Sequence, residues 1–262
     1  MPVPSRVSDP SLMERSVFYL HGFASSAKST KAAYLGERFR LHGLTLHCPD
    51  FNQPDFATLT LTRMLDQLDR VMAAVTAPAT LIGSSLGGTL AILAAATFGP
   101  RVDRLVLLAP AVMFARKVML NSVASGLSRI GPPDQPSPRL RRSAEASAEA
   151  EGGPHEWLPP ERVDQWRRLE RLPFFHYGDN AERMLNFAFY EDSFRYNSFD
   201  ATFQQPTLIF QGMQDASVDP RTAEAFARKR PNVTLSLLED DHSLTKSLPR
   251  IWDGVSAFLE VE

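Results

Sequence analysis

The chain has 262 residues, of which 44% are hydrophobic and 22% charged, a size and composition that fit one large domain, or a domain with an insertion, around a substantial core. Its formal net charge of −2 lacks the basic excess that sequence-independent phosphate contacts need, which argues against nucleic acid as a partner. One cysteine, Cys48, excludes an internal disulfide, and no Cys/His cluster has zinc-ligand spacing.

The first fifteen residues, MPVPSRVSDPSLMER, carry prolines and charges where a secretory signal needs an apolar run, and no stretch reaches the length of a membrane helix. The expectation is a soluble cytoplasmic protein without a membrane span. From residue 16 to 110, short apolar runs alternate with stretches of helical periodicity, the pattern of βαβ units and a parallel sheet. Strands are expected over 17–20, 44–48, 79–83 and 104–109, and helices over 29–42, 59–75 and 86–97. Gly43 and Gly99 stand where helix C-caps belong, and Cys48 reads as a small core hydrophobe at a strand end.

Residues 111–203 then separate two sheet-like stretches by far more than an ordinary connection, and they read as an inserted helical cap. Their centre, 131–157, is rich in Pro, Ser, Ala, Glu and Gly and is expected to be flexible. Ten of the chain's 25 aromatic residues fall between Phe174 and Phe203. Most should form the cap's own core, with some facing the site it covers. Pro159-Pro160 can open a helix with Val163, Trp166 and Leu169 on one face. Asp179 with Glu182 makes a capping box, which predicts another helix carrying Met184, Leu185 and Phe187. The βα pattern resumes with strands over 207–210 and 233–238 and helices over 221–229 and 248–259, so the core spans 16–110 and 204–262. The sum is about six mostly parallel strands flanked by helices.

ATLIGSSLGGTLAI, residues 79–92, sets Gly83-Ser84-Ser85-Leu86-Gly87 between a predicted strand and a predicted helix. G-x-S-x-G in that setting is a nucleophile elbow, in which the serine takes a strained conformation and the flanking glycines let strand and helix approach. For the acid, PTLIFQGMQDASVDP places Asp215 in the loop after a strand, where a carboxylate can orient an imidazole. Asp219 before Pro220 reads instead as a helix N-cap. For the base, LLEDDHSLT carries His242 in the loop after the last strand, at the sheet edge that also holds Ser85 and Asp215. His21 is the other histidine near that edge and is expected to brace its loop, whereas His42, His47, His155 and His176 fall elsewhere in the pattern.

VFYLHGFASSAKST, residues 17–30, admits two readings. Gly22 followed by Ala27-Lys28-Ser29 is one substitution from a phosphate-binding loop. His21-Gly22-Phe23 after a strand matches half of an oxyanion hole. With Ser85, Asp215 and His242 on the same edge, the second reading is preferred, and a nucleotide binder is the remote alternative.

These motifs and their order resemble the α/β-hydrolase superfamily. YLHGFASSAKSTKA, IGSSLGG, FQGMQDASV and DDHSL resemble the YqiA-like bacterial serine esterases in particular, apart from the long cap. The resemblance implies an α/β-hydrolase fold with Ser85 as nucleophile, His242 as general base, Asp215 as its orienting acid, and the backbone N–H groups of Phe23 and Leu86 as the oxyanion hole. It implies no metal and no organic cofactor; the long cap departs from those esterases, so the substrate is read from this chain instead, as a carboxylic ester or thioester of a small, partly apolar molecule bound under the aromatic cap. Amide or C–C bond cleavage on the same triad, and a catalytically silent binding protein, stay open as alternatives.

Overall fold

In the computed structural model, the protein is described over residues 16–114 and 158–261. Six strands form one parallel sheet: β1 (Ser16–Leu20), β2 (Leu46–His47), β3 (Ala79–Ser84), β4 (Val102–Leu108), β7 (Thr207–Gly212) and β8 (Val233–Leu238), in the order β2-β1-β3-β4-β7-β8. The helices α1 (Thr30–Leu41), α2 (Leu61–Met72), α3 (Leu86–Phe98), α6 (Pro220–Arg228) and α7 (Leu248–Leu259) cover its faces. Side chains alternate along each strand as the pleat demands. Val17 and Tyr19 of β1, Val106 and Leu108 of β4 and Phe210 of β7 pack with Leu35 and Phe39 of α1 and Ile251 and Val255 of α7. Phe18, Leu20, Leu105, Leu107 and Ile209 point the other way, toward α2, α3 and α6. Both faces are apolar because helices bury both, as parallel sheets require.

Most expected elements form within a residue or two of their expected bounds. The strand over 44–48 contracts to Leu46–His47 at the sheet edge, because the Leu44 N–H is already committed to the Phe39 carbonyl at the end of α1, 2.9 Å away. Gly43 takes φ +74 just beyond α1 and Gly99 takes φ +56 after α3, so both fill the helix-terminal positions foreseen for them. Among the described residues no helix is long and apolar enough to cross a membrane.

Between β4 and β7 lie α4 (Pro160–Leu169), the antiparallel hairpin β5 (Arg171–His176) and β6 (Ala181–Asn186), and α5 (Ala188–Ser193). The Pro159-Pro160 helix forms, with Val163 and Trp166 buried, but Leu169, expected on the same face, stands exposed at the helix end. The helix expected from the Asp179–Glu182 capping box does not: Glu182 pairs with Phe175 in the hairpin. Two local features explain the difference. Asn180 adopts φ +51 in the turn, and the Asp179 carboxylate binds the Arg183 guanidinium 2.9 Å away instead of a helix N-terminus. Residues 131–157, expected to be flexible, lie outside the described residues.

The cluster around Trp166, Phe174, Phe187, Phe189, Phe199 and Phe203 joins the α2–α3 face of the core. It is fastened by Asp192 of α5, whose carboxylate accepts the N–H of Thr62 at 2.8 Å and its hydroxyl at 2.6 Å. A side chain from a distant segment thus supplies an acceptor to the first turn of α2, where N–H groups lack helical partners.

Candidate active site

Four loops meet at the C-terminal edge of the sheet: those after β1, β3, β7 and β8. Ser85 lies between β3 and α3 with φ 52 and ψ −115, a conformation costly for a residue with a side chain. Its backbone is held on both sides. The Ser85 N–H donates to the Leu108 carbonyl at 3.0 Å, and its carbonyl accepts from Gly88 and Ala111 at 2.9 and 3.2 Å. A Cβ on Gly87 would collide with the Leu20 carbonyl, and one on Gly83 would collide with the Gly87 carbonyl. The two glycines of the motif therefore permit the close strand–helix approach that presents Ser85. Ser84 is buried, as a supporting residue would be.

Asp215 and His242 are brought together. Asp215 Oδ2 lies 2.8 Å from His242 Nδ1. The same oxygen accepts from Gln211 Nε2 at 2.8 Å, while Oδ1 accepts the N–H groups of Ser217 and Val218 at 2.9 and 2.8 Å. An ionised carboxylate only accepts, so these contacts place the imidazole proton on Nδ1 and leave Nε2 as the basic nitrogen. The loops bearing the pair are laced to each other. Met213 N–H donates to the Leu238 carbonyl at 2.8 Å and Gln214 N–H to the Asp240 carbonyl at 3.0 Å, and a Cβ on Gly212 would come 2.5 Å from the carbonyls of Asp240 and Asp241. Asp219 caps α6 by accepting the Arg221 N–H at 2.9 Å, as expected.

Burial sets the protonation states. It pushes the Asp215 carboxyl up to about 6, against the pull of its Val218, Gln211 and Ser217 donors. It drives the His242 imidazole well below its usual range, and the Lys31 charge adds to that. At neutral pH the pair is a carboxylate beside a neutral imidazole.

The β1 loop runs alongside. A Cβ on Gly22 would sit 3.3 Å from Ser85 Cβ and 3.9 Å from its Oγ, so the glycine lets the loop lie against the serine. His21 braces this loop as foreseen: its Nε2 accepts the Phe51 N–H at 3.0 Å, which leaves Nδ1–H to donate to the Gly22 carbonyl at 2.9 Å. Asn52 Nδ2 holds the Ser25 carbonyl at 2.8 Å. Leu86 opens α3, so its N–H has no carbonyl four residues back within the helix. Positive φ values at Ala24, Ser85 and Leu244 place non-glycine strain in the loops after β1, β3 and β8, and Ala109 adds another just after β4. Gly22, Phe23, Ser85 and His242 line one cavity of about 140 Å³.

Sequence reasoning missed three features. His176, assigned away from the edge, is buried, accepts the Asp179 N–H at 3.1 Å and stacks its ring edge against Phe56, which in turn packs on Phe23. The aromatic residues of 174–203 do not line the cavity among the described residues; Phe174 and Phe189 reach it by packing on Phe23, with ring centroids 5.8 and 5.3 Å away. Lys31, unremarked in a helix, turns into the cavity, while Lys28 of the suspected phosphate loop is exposed.

The family model for the alpha/beta hydrolase fold matches residues 15–242, and the protein belongs to that family. Among solved structures it resembles the ferulic acid complex of Est1E from Butyrivibrio proteoclasticus, with TM-score 0.66 and 20% identity over 94% of this chain and 89% of that one. It also resembles alpha/beta hydrolase domain-containing protein 10 from mouse, with TM-score 0.63 and 16% identity over 94% of this chain and 89% of that one. A third is monoacylglycerol lipase from Paleococcus ferrophilus, with TM-score 0.57 and 16% identity over 92% of this chain and 93% of that one. No curated protein sequence matches the chain.

Proposed function

We propose that the protein is a serine hydrolase that cleaves an ester or thioester of a small acyl substrate through an acyl-enzyme, with Ser85 as nucleophile, His242 as general base and Asp215 as the group that orients it. The observation that carries this reading is the convergence of a strained Ser85 and a 2.8 Å Asp215–His242 pair on one sheet edge and one cavity.

In acylation, Ser85 Oγ bonds to the substrate carbonyl carbon as its proton passes to His242 Nε2, and the carbonyl π electrons move onto oxygen. The N–H groups of Phe23 and Leu86 stabilise that oxyanion. Collapse re-forms the carbonyl, the bond to the leaving group breaks, and His242 returns the proton to the departing oxygen or sulfur. Water then repeats the sequence against the acyl-enzyme. Asp215 keeps the imidazole proton on Nδ1 and stabilises the imidazolium without itself being protonated. The chemistry calls for no metal or organic cofactor.

Residues 111–203 act as a cap over this site, the core being 16–110 and 204–262, in the manner of a YqiA-like esterase with an added insertion working in the cytoplasm. The esterase and lipase names among the structural neighbours agree with ester cleavage. Replacement of Ser85 by Ala should lower kcat on short 4-nitrophenyl esters by several orders of magnitude while leaving the melting temperature near that of the parent protein. Retained turnover would refute the assignment.

A further inference from the structure

We propose that Lys31 is a specificity residue, recognising a compact anionic group, a carboxylate or a phosphate, that the substrate carries a few atoms from its scissile carbonyl; this rests on the hydrolase reading above. Lys31 stands in the first turn of α1 and lines the same cavity as Ser85 and His242. Its ammonium donates to the Ser243 carbonyl at 3.0 Å. That satisfies one of its three N–H groups. Among the described residues no carboxylate stands within 4.0 Å of it to form an ion pair.

The nearby carboxylates are committed to other donors. Asp241 accepts the N–H and hydroxyl of Ser243, Asp240 accepts the N–H groups of Asp241 and Ser247, and Asp215 is filled by His242, Gln211 and two backbone N–H groups. A cation held in a cavity wall with donor capacity left over is complementary to an incoming anion, and in that partly desolvated position a charged hydrogen bond is strong.

The rest of the wall has the same preference. Ser29, Thr30, Ser243 and Thr245 bring hydroxyls to the cavity, and Ser29, Thr30 and Lys31 belong to the N-terminal end of a twelve-residue helix, where peptide dipoles favour negative charge. Burial lowers the Lys31 ammonium to about 8 while Asp215, Asp241 and Asp240 hold it up, so it keeps its proton at neutral pH. A cavity of about 140 Å³ suits a small charged group better than a long apolar chain.

The test compares kcat/KM for mono(4-nitrophenyl) dicarboxylates, from glutarate to suberate, with neutral 4-nitrophenyl esters of the same chain length. The protein should favour the charged ester at one or more lengths, and Lys31→Met should lower that charged-to-neutral ratio about tenfold or more, as expected for losing a charged hydrogen bond. Lys31→Arg should keep most of the preference. Inorganic phosphate and free adipate, tested as competitive inhibitors of neutral-ester hydrolysis, separate the two anions: the better inhibitor, weakened by Lys31→Met, names the group. If Lys31 only fastens the Ser243 loop, both ester classes fall together, the ratio stays fixed, and the inference is overturned while the hydrolase reading stands. If neither ester turns over and a fluorophosphonate fails to label Ser85, both fall.

Discussion

The backbone N–H of Tyr177 donates to the carbonyl of Ala24 across 2.7 Å, fastening the turn of the β5–β6 hairpin to the loop that carries Phe23. Ring packing of Phe174 and Phe189 on Phe23 extends the contact. The described part of the stretch between β4 and β7 therefore sets the position of the proposed oxyanion donor even though, among the described residues, its aromatic side chains do not line the cavity. Gly178 makes the approach possible, since a Cβ there would stand 2.8 Å from Ser26 Cβ. Gly178→Val should push the hairpin off the loop and lower kcat roughly tenfold to a hundredfold, as small misplacements of reacting groups do. Steady-state kinetics on a short ester, with circular dichroism to confirm the fold, checks this; a parental kcat would show that the hairpin does not position the donor.

The pH dependence follows from the Asp215–His242 pair. It takes up its first proton as pH falls through about 6, the region to which burial raises Asp215. The protonated pair no longer stabilises an imidazolium, so kcat/KM should drop on the acidic side of that value. Gln211 donates to the carboxylate and holds its pKa down. Gln211→Met removes a donor that favours the ionised form, so the acidic limb should move to higher pH. A pH–rate profile of both proteins decides the matter, and an unshifted limb would deny Gln211 this role.

The elbow makes a stability prediction. Gly87→Ala drives a methyl into the Leu20 carbonyl, backbone that cannot swing aside as a side chain tip would. The cost should be about 3 kcal/mol or more, at the upper end for overpacking. Chemical denaturation of Gly87→Ala against the parent measures it, and a change below about 1 kcal/mol would mean that strand and helix have more room than the geometry indicates.

Which features were legible depended on the range of their causes. The elbow could be read because a strained serine needs glycines at fixed offsets, Gly83 and Gly87, so its demand is local. Asp215 and His242 could be read because strand order places their loops on the same edge. The hairpin at 171–186 was misread because Ala181, Glu182, Arg183, Met184 and Leu185 are good helix formers. Pairing with β5 overrides that preference. Along Arg171–His176 the sequence RLPFFH sets Phe174 beside Phe175 and so hides the strand period, although the structure buries Leu172, Phe174 and His176 on one side. Lys31 and His176 carried no local sign, since their roles come from segments far away in the chain, Ser243 for one and Phe56 for the other.

The central claim, that Ser85 is the activated nucleophile, is tested most directly by treating the intact protein with a fluorophosphonate and measuring its mass before and after. A single adduct is expected, one that maps to the peptide containing Ser85, is lost in Ser85→Ala, and forms far more slowly in His242→Ala. An adduct on another residue, or none on a folded protein that also hydrolyses no ester, would contradict it.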